Sequence, residues 1–291
     1  MHPRTAYRIA WDRHALELGR RTRIMGILNV TPDSFSDGGR FLDPAAAVAQ
    51  GVRMAEEGAD IIDVGGESTR PFSEPVSAEE EIRRVVPVIA ALARRVEVPI
   101  SIDTTKSRVA RRALEAGAAL LNDISGLKND PGIATVAAEY RVPLILMHMQ
   151  GEPRTMQVAP HYEDLIGDIR AELLAAAAAA ERAGVARTML IADPGIGFGK
   201  TLDHNLRLIR RLAELASMGM PLLVGPSRKS FIRRLVRRPS EEDLSPEQPI
   251  VETGTQAAVA AAVMNGAHIV RVHDVANTSA TLKVVDAIRN A

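Results

Sequence analysis

The chain has 291 residues, 46% hydrophobic and 25% charged, with 36 basic against 36 acidic side chains. This is the composition of a soluble globular protein with material for a large core, and a formal net charge of zero offers no global field for nucleic acid or an anionic membrane. Zero cysteines exclude disulfides and thiolate metal sites; with neither a leader-like N-terminus nor an apolar run of about 18 residues, the expectation is a cytoplasmic protein.

A polar N-terminal extension, 1–22, precedes the first apolar run, 24–29, which ends at Asn29 and passes into TPDSFSDGG. A helix-period stretch at 43–57 leads to a second run, 60–64, carrying Asp63 and followed by GGESTRP. The next helical stretch, 78–95, leads to a run at 99–103 that stops at Asp103 before TTK. Helical 106–116 precedes 119–123, with Asn122 and Asp123 at its end, and the following run, 143–147, finishes on Met147 and meets His148. Helical 163–183, whose Ala-rich part 171–183 has high helix propensity, is followed by 188–192, then Asp193 and PGIGFGK. Helical 203–217, the run 221–224 with GPSRKS, helical 252–265 and a last run, 267–272, complete the series; the last contains Arg271 and runs into His273 and Asp274.

One unit therefore recurs: a helical segment closing on Gly, a short apolar run, then polar residues. MAEEGADIIDVGGEST, ALEAGAALLNDISG and VMNGAHIVRVHD are three copies. The Gly suits a helix C-cap, and runs apolar on both faces suit buried parallel strands. Eight such units without a linker predict a single domain, 1–291, folded as an α/β (β/α)8 TIM barrel. A doubly wound open sheet is the alternative; both place ligands where strand C-termini meet their loops.

Those ends are polar where the strand bodies are apolar. Helix caps and turns account for Asp123, Thr104, Asp274 and Ser227. They do not account for Asp103, Asn122, Asp193 and Arg271, which lie in or directly at the end of apolar runs, where an unpaired charge is costly. A carboxylate accepts two parallel bonds from a guanidine-like edge, such as a pterin or guanine presents. Arg271, His273 and Asn29 suit an oxyanion such as phosphate, and Lys229 and Arg70 add positive charge. Lysine is otherwise rare, occurring at 106, 128, 200, 229 and 283 only.

Two motif-like strings are set aside. PGIGFGKT has Pro194 where a phosphate-binding loop has its first Gly, and its glycines do not follow GxGxxG. His148 stands at a strand end without metal-ligand spacing, and His161, His204 and His268 read as surface or packing residues.

The strings NVTPDSFSDGG, DVGGESTRP, DPGIGFGK, GPSRKS and RVHD, in that order, resemble dihydropteroate synthase of folate biosynthesis over roughly residues 22–290. The resemblance implies a TIM-barrel homodimer that joins 6-hydroxymethyl-7,8-dihydropterin diphosphate to p-aminobenzoate, giving 7,8-dihydropteroate and pyrophosphate. It implies a pterin site at Asp103, Asn122, Met147, Asp193 and Lys229, and a diphosphate site at Asn29, Thr69, Arg271 and His273, with Mg2+ assisting through Asn29. Thr69, Arg70, Pro71, Phe198 and Ser230 match positions around p-aminobenzoate. Phe35 and Asp37 belong to a first loop that closes over the site, and Lys229, Arg271, His273 and Asp103 are the implied catalytic set. Pro226 and Phe72 depart from the usual family residues without touching a matched polar position. Two rivals are a pterin-dependent methyltransferase and a non-catalytic pterin-binding barrel. The complete first loop, STRP, SRK and RVH favour the synthase.

Overall fold

The computed structural model describes residues 4–31, 44–68, 75–151, 156, 158–240 and 243–291. Its centre, among those residues, is an eight-stranded parallel sheet. In chain order the strands are β3 (Arg23–Asn29), β4 (Ile61–Gly65), β5 (Ile100–Asp103), β6 (Leu120–Asp123), β7 (Leu144–Met147), β8 (Leu190–Asp193), β9 (Leu223–Val224) and β10 (Ile269–Val272). Neighbours follow chain order from β3 to β8, and β10 lies between β3 and β9. A parallel bridge between Ala192 and Leu222 joins β8 to β9 and closes the barrel, with the Ala192 amide donating to Pro221 O at 3.0 Å. The open-sheet alternative is thereby excluded. Each strand boundary lies within two residues of the run that foretells it.

The strands are β-branched and leucine-rich because both faces are covered: Ile61, Ile62, Val64, Leu144, Ile145, Ile191 and Ile269 are all fully buried. Outside lie α1 (Pro44–Glu56), α2 (Ala78–Leu92), α3 (Ser107–Glu115), α4 (Gly132–Tyr140), α5 (Leu165–Arg182), α6 (Leu202–Arg210), α7 (Ser230–Val236), α8 (Pro249–Met264) and α9 (Val275–Asn290). Local chemistry sets several ends. Ser77 caps α2 by accepting from the Glu80 amide at 3.2 Å, with Glu79, Glu80 and Glu81 in the first turn. Pro249 opens α8, earlier than the residue 252 expected. The stretch expected as one helix over 203–217 divides into α6 and a 3-10 segment, Leu212–Met218. There Leu212, Leu215 and Met218 are buried at intervals of three, the period of a 3-10 turn.

The N-terminal extension is structured. β1 (Tyr7–Trp11) and β2 (His14–Leu18) form an antiparallel hairpin, turned at Asp12 with φ 42°. Ile9, Trp11, Leu16 and Leu18 face inward, the period-two pattern of a half-buried ribbon. It is fastened beneath the barrel, at the strands' N-terminal end. Arg4 donates to Thr22 Oγ1, Ala267 O and Asp286 Oδ1, while Asp286 also accepts from the Thr22 amide at 2.7 Å and hydroxyl at 2.8 Å. His268 belongs to this floor, its Nδ1 accepting from the Leu222 amide and its Nε2 lying 3.0 Å from Thr5 O.

Candidate active site at the strand ends

Arg271, on β10, reaches across the barrel mouth to two carboxylates. Its Nε donates to Asp63 Oδ2 at 2.6 Å and its Nη2 to Asp103 Oδ2 at 2.7 Å. Asn122 Nδ2 donates to the same Asp63 oxygen at 3.0 Å. Strand register places Asn29 and Asp103 on either side of Gly65. A Cβ at Gly65 would lie 3.8 Å from Asp103 Oδ2 and 3.9 Å from Asn29 Oδ1, so both acceptors converge on one point. Four residues from four strands are thus locked to one another by short bonds, before any ligand arrives.

Asp63 is the residue that sequence reasoning underrates. It is fully buried, serves both Arg271 and Asn122, and keeps an Oδ1 without a hydrogen-bond partner. The signal was a carboxylate inside IIDVG, a run with no other polar side chain.

Burial governs the charges. It raises Asp103 well above the usual carboxylate range, with Arg271 opposing. It raises Asp193 to about 6, against the Gly195 amide that donates to Oδ1 at 2.7 Å. Lys229 is lowered to about 8, first by burial and then by Arg271. Burial thus pushes both carboxyls of the mouth up and its ammonium down.

Lys229 lies over Phe198, its Nζ 3.8 Å from the ring centroid, a cation–π contact. The glycines of PGIGFGK make this possible. Gly197, at φ +82°, leaves room for the Lys229 stem, since a Cβ there would meet Lys229 Cδ at 2.7 Å. Gly195, at φ +70°, lets its loop press on the backbone after β7, where a Cβ would collide with His148 O. What resembles a phosphate loop is a packing device between loops. Phe198 belongs with Met147, Ile124, Met149 and Met156 to a small apolar cluster beside the main core, of which sequence reasoning selected only Phe198 and Met147.

On the far side Ser227 Oγ accepts from the His273 amide at 3.3 Å and lies 2.9 Å from His273 Nδ1. The Ser227 side chain therefore orients the imidazole, a role beyond the cap expected for it. Ser230 opens α7, half-buried, directly after Lys229, and the Pro226 carbonyl accepts from the Lys229 amide at 3.3 Å. Asp123 and Asp274 are structural, as expected. Asp123 accepts from the Ser125 and Leu127 amides, and Asp274 caps α9 through the Asn277 amide at 2.9 Å. His204 likewise completes a capping box with Thr201. Phe35, Asp37, Thr69, Arg70, Pro71 and Phe72 lie outside the described residues.

A closed barrel with paired acceptors and cations at its C-terminal mouth, beside an apolar wall, defines a pterin-binding enzyme; the Pterin binding enzyme family matches residues 25–273. The dihydropteroate synthase of Synechocystis is 50% identical over 270 residues, covering 93% of this chain and 91% of the relative. The Xanthomonas albilineans dihydropteroate synthase, solved with 4-aminobenzoic acid, superposes with a TM-score of 0.89 at 44% identity, covering 99% of this chain and 100% of that one. A structure of the same organism's enzyme with 7,8-dihydropteroate gives 0.82 at 44% identity, over 93% and 95% of the two chains. The chain belongs to the dihydropteroate synthase family and is a transferase; the methyltransferase and non-catalytic readings are not favoured. No described helix is long and apolar enough to cross a membrane.

Proposed function

We infer that this chain condenses 6-hydroxymethyl-7,8-dihydropterin diphosphate with p-aminobenzoate, and we propose how its residues divide the work. The observation that carries the assignment is the Asp63–Arg271–Asp103 bridge, with bonds of 2.6 and 2.7 Å. It holds a guanidinium at the barrel mouth, where an anionic leaving group would sit beside a pterin. Asp193 and Asn122 take the donor-rich edge of the pterin, Asp103 its other side, and Met147 and Lys229 the ring faces and rim. Asn29, Thr69, Arg271 and His273 take the diphosphate. Phe198, Ser230, Thr69, Arg70 and Pro71 surround p-aminobenzoate, and Phe35 and Asp37 belong to a loop that covers the site.

The chemistry follows from the charges. An aryl amine is a weak nucleophile but is unprotonated at neutral pH, so it needs a better electrophile more than a base. The bond between the exocyclic pterin carbon and its oxygen breaks, and the electron pair leaves with pyrophosphate. The carbon becomes a cation delocalised into the pterin, stabilised by Asp103 and Asp193, while Arg271 and His273 receive the charge on pyrophosphate. The amine then forms the C–N bond and releases its proton to water. Asn29 Oδ1 is a hard amide oxygen that converges with Asp103 Oδ2 on one point, a pair of donors that would suit Mg2+. Such an ion, when bound, supplies Lewis-acid stabilisation of the leaving group.

Purified protein given both substrates and Mg2+ should release pyrophosphate only when p-aminobenzoate is present; release independent of it sinks the assignment. For the ion, Mg2+ should tighten binding of the pterin diphosphate to the native chain and not to Asn29→Ala. We also propose a cytoplasmic homodimer. An apolar groove of about 410 Å3 between α6, α7 and α8 includes Leu206 and Leu235, 39% and 53% exposed, a face suited to a second copy. Light scattering should then read twice the 31.3 kDa chain mass.

A further inference from the structure

Lys200, the last residue of PGIGFGK, is 2% exposed and lies outside the set of residues assigned to substrate. Its Nζ is 3.0 Å from Phe198 O and 3.0 Å from His148 Nδ1, and 5.9 Å from the centre of the Tyr162 ring. In its ammonium form Lys200 has no lone pair to offer, so in that form His148 Nδ1 is the acceptor and the imidazole carries its proton on Nε2. That nitrogen is 3.5 Å from Glu172 Oε2, at the protein surface. At that distance His148 Nε2 makes no hydrogen bond among the described residues, so the hydrogen-bonded run is His148–Lys200–Phe198 O, and Glu172 acts on it through charge alone. The same turn is held from two other sides, by Tyr162 Oη donating to Gly199 O at 2.8 Å and by Asn205 Oδ1 accepting from the Gly197 amide at 2.7 Å.

Burying an ammonium is costly. Here burial lowers Lys200 to about 7, against Asp193 and Glu172, which raise it. A methionine of similar volume would fill the space without that cost; what the amino group adds is its two contacts, to Phe198 O and His148 Nδ1. The carbonyl it grips belongs to the residue whose ring faces Lys229 Nζ at 3.8 Å.

We propose that Lys200 is a positioning residue: by gripping the Phe198 carbonyl it fixes that ring and so sets the affinity of the site for the aryl amine, not for the pterin. The inference rests on the assignment of Phe198 to the p-aminobenzoate end. It also gives the rare lysine of this loop a role that no direct contact with substrate supplies.

The test compares the native enzyme with Lys200→Met, Lys200→Arg and Phe198→Ala, reading KM for p-aminobenzoate, kcat, and the dissociation constant of the bare pterin. Lys200→Met should raise the p-aminobenzoate KM by about tenfold, the weight of one charged hydrogen bond, with pterin affinity held within roughly twofold. Lys200→Arg, which keeps a donor, should recover most of the loss. A parallel loss of pterin affinity, or no change in KM, overturns the proposal. Phe198→Ala separates the two levels: if it leaves the KM unchanged, the assignment of Phe198 is wrong, whereas if it raises the KM and Lys200→Met does not, only the role of Lys200 fails. Should Lys200→Met not fold, His148→Leu, which removes the imidazole nitrogen that orients Lys200 Nζ, should raise the same KM about two- to threefold, and an unchanged KM there overturns the proposal.

Discussion

Replacing Asp193 by Asn should make the protein more stable while making it a poorer pterin binder. Asp193 is 5% exposed, and burial raises its carboxyl from 3.8 to about 6. A raised carboxyl pKa means that the folded state prefers the neutral form. The group costs nothing below its ordinary pKa; the cost grows as pH rises and is complete once pH exceeds the folded value. A shift of about two units amounts to about 3 kcal/mol at 1.36 kcal/mol each. Asn carries no charge to desolvate, and its Oδ1 still accepts from the Gly195 amide that Asp193 Oδ1 meets at 2.7 Å. The gain should therefore be about 3 kcal/mol at pH 8, about half that at pH 5, and absent below about pH 3.8. At about 2 °C per kcal/mol for a chain of this size, calorimetry should find Tm raised by about 6 °C at pH 8 and about 3 °C at pH 5. Equal shifts at the two pH values, or a lower Tm at pH 8, would refute the argument that burial of the ionised carboxylate costs the fold.

Three further outcomes are expected. Arg271→Ala leaves the fully buried Asp63 without its cation; denaturant titration should register a loss of about 3 kcal/mol, and turnover should fall by at least about 100-fold, far more than the affinity for bare pterin. Gly197→Ala forces a side chain into φ +82° and against Lys229 Cδ; it should cost about 1–3 kcal/mol by thermal unfolding and raise the KM for the pterin diphosphate. Asp286→Ala removes the acceptor shared by Arg4 and Thr22; stability should drop by about 2–3 kcal/mol while both KM values stay unchanged, because that cluster lies at the opposite end of the barrel.

Most of the barrel is legible because buried parallel strands leave a plain mark, short runs apolar on both faces, each preceded by a helix. The active-site ring is legible for the same reason. Asp103, Asn122 and Arg271 stand out because polar side chains are scarce in such runs. Asp63 escaped selection because its partners, Arg271 and Asn122, lie 208 and 59 residues away, and only the closed sheet brings them together. The hairpin at Tyr7–Leu18 is hard to read because each of its strands is only 5 residues long and buries just two side chains, too few to make an alternating pattern stand out. The purpose of Gly195 was hidden because the atom it accommodates, His148 O, belongs to a different loop. Spacing within a motif cannot reveal a neighbour that tertiary folding supplies.

The position of β10 between β3 and β9 has a consequence for synthesis on the ribosome. β3 is the first barrel strand to emerge, yet one of its edges waits for Ile269–Val272, the last barrel strand made. Until then that edge presents unpaired amides and carbonyls, and the floor also lacks Asp286, which ties down Arg4 and Thr22. Ring closure therefore comes only when the barrel's last strand joins its first. Between the synthesis of β3 and that of β10 the nascent barrel is an open sheet with unpaired borders at β3 and at its newest strand, so its yield in cells depends on how long those borders stay exposed as well as on the stability of the finished barrel.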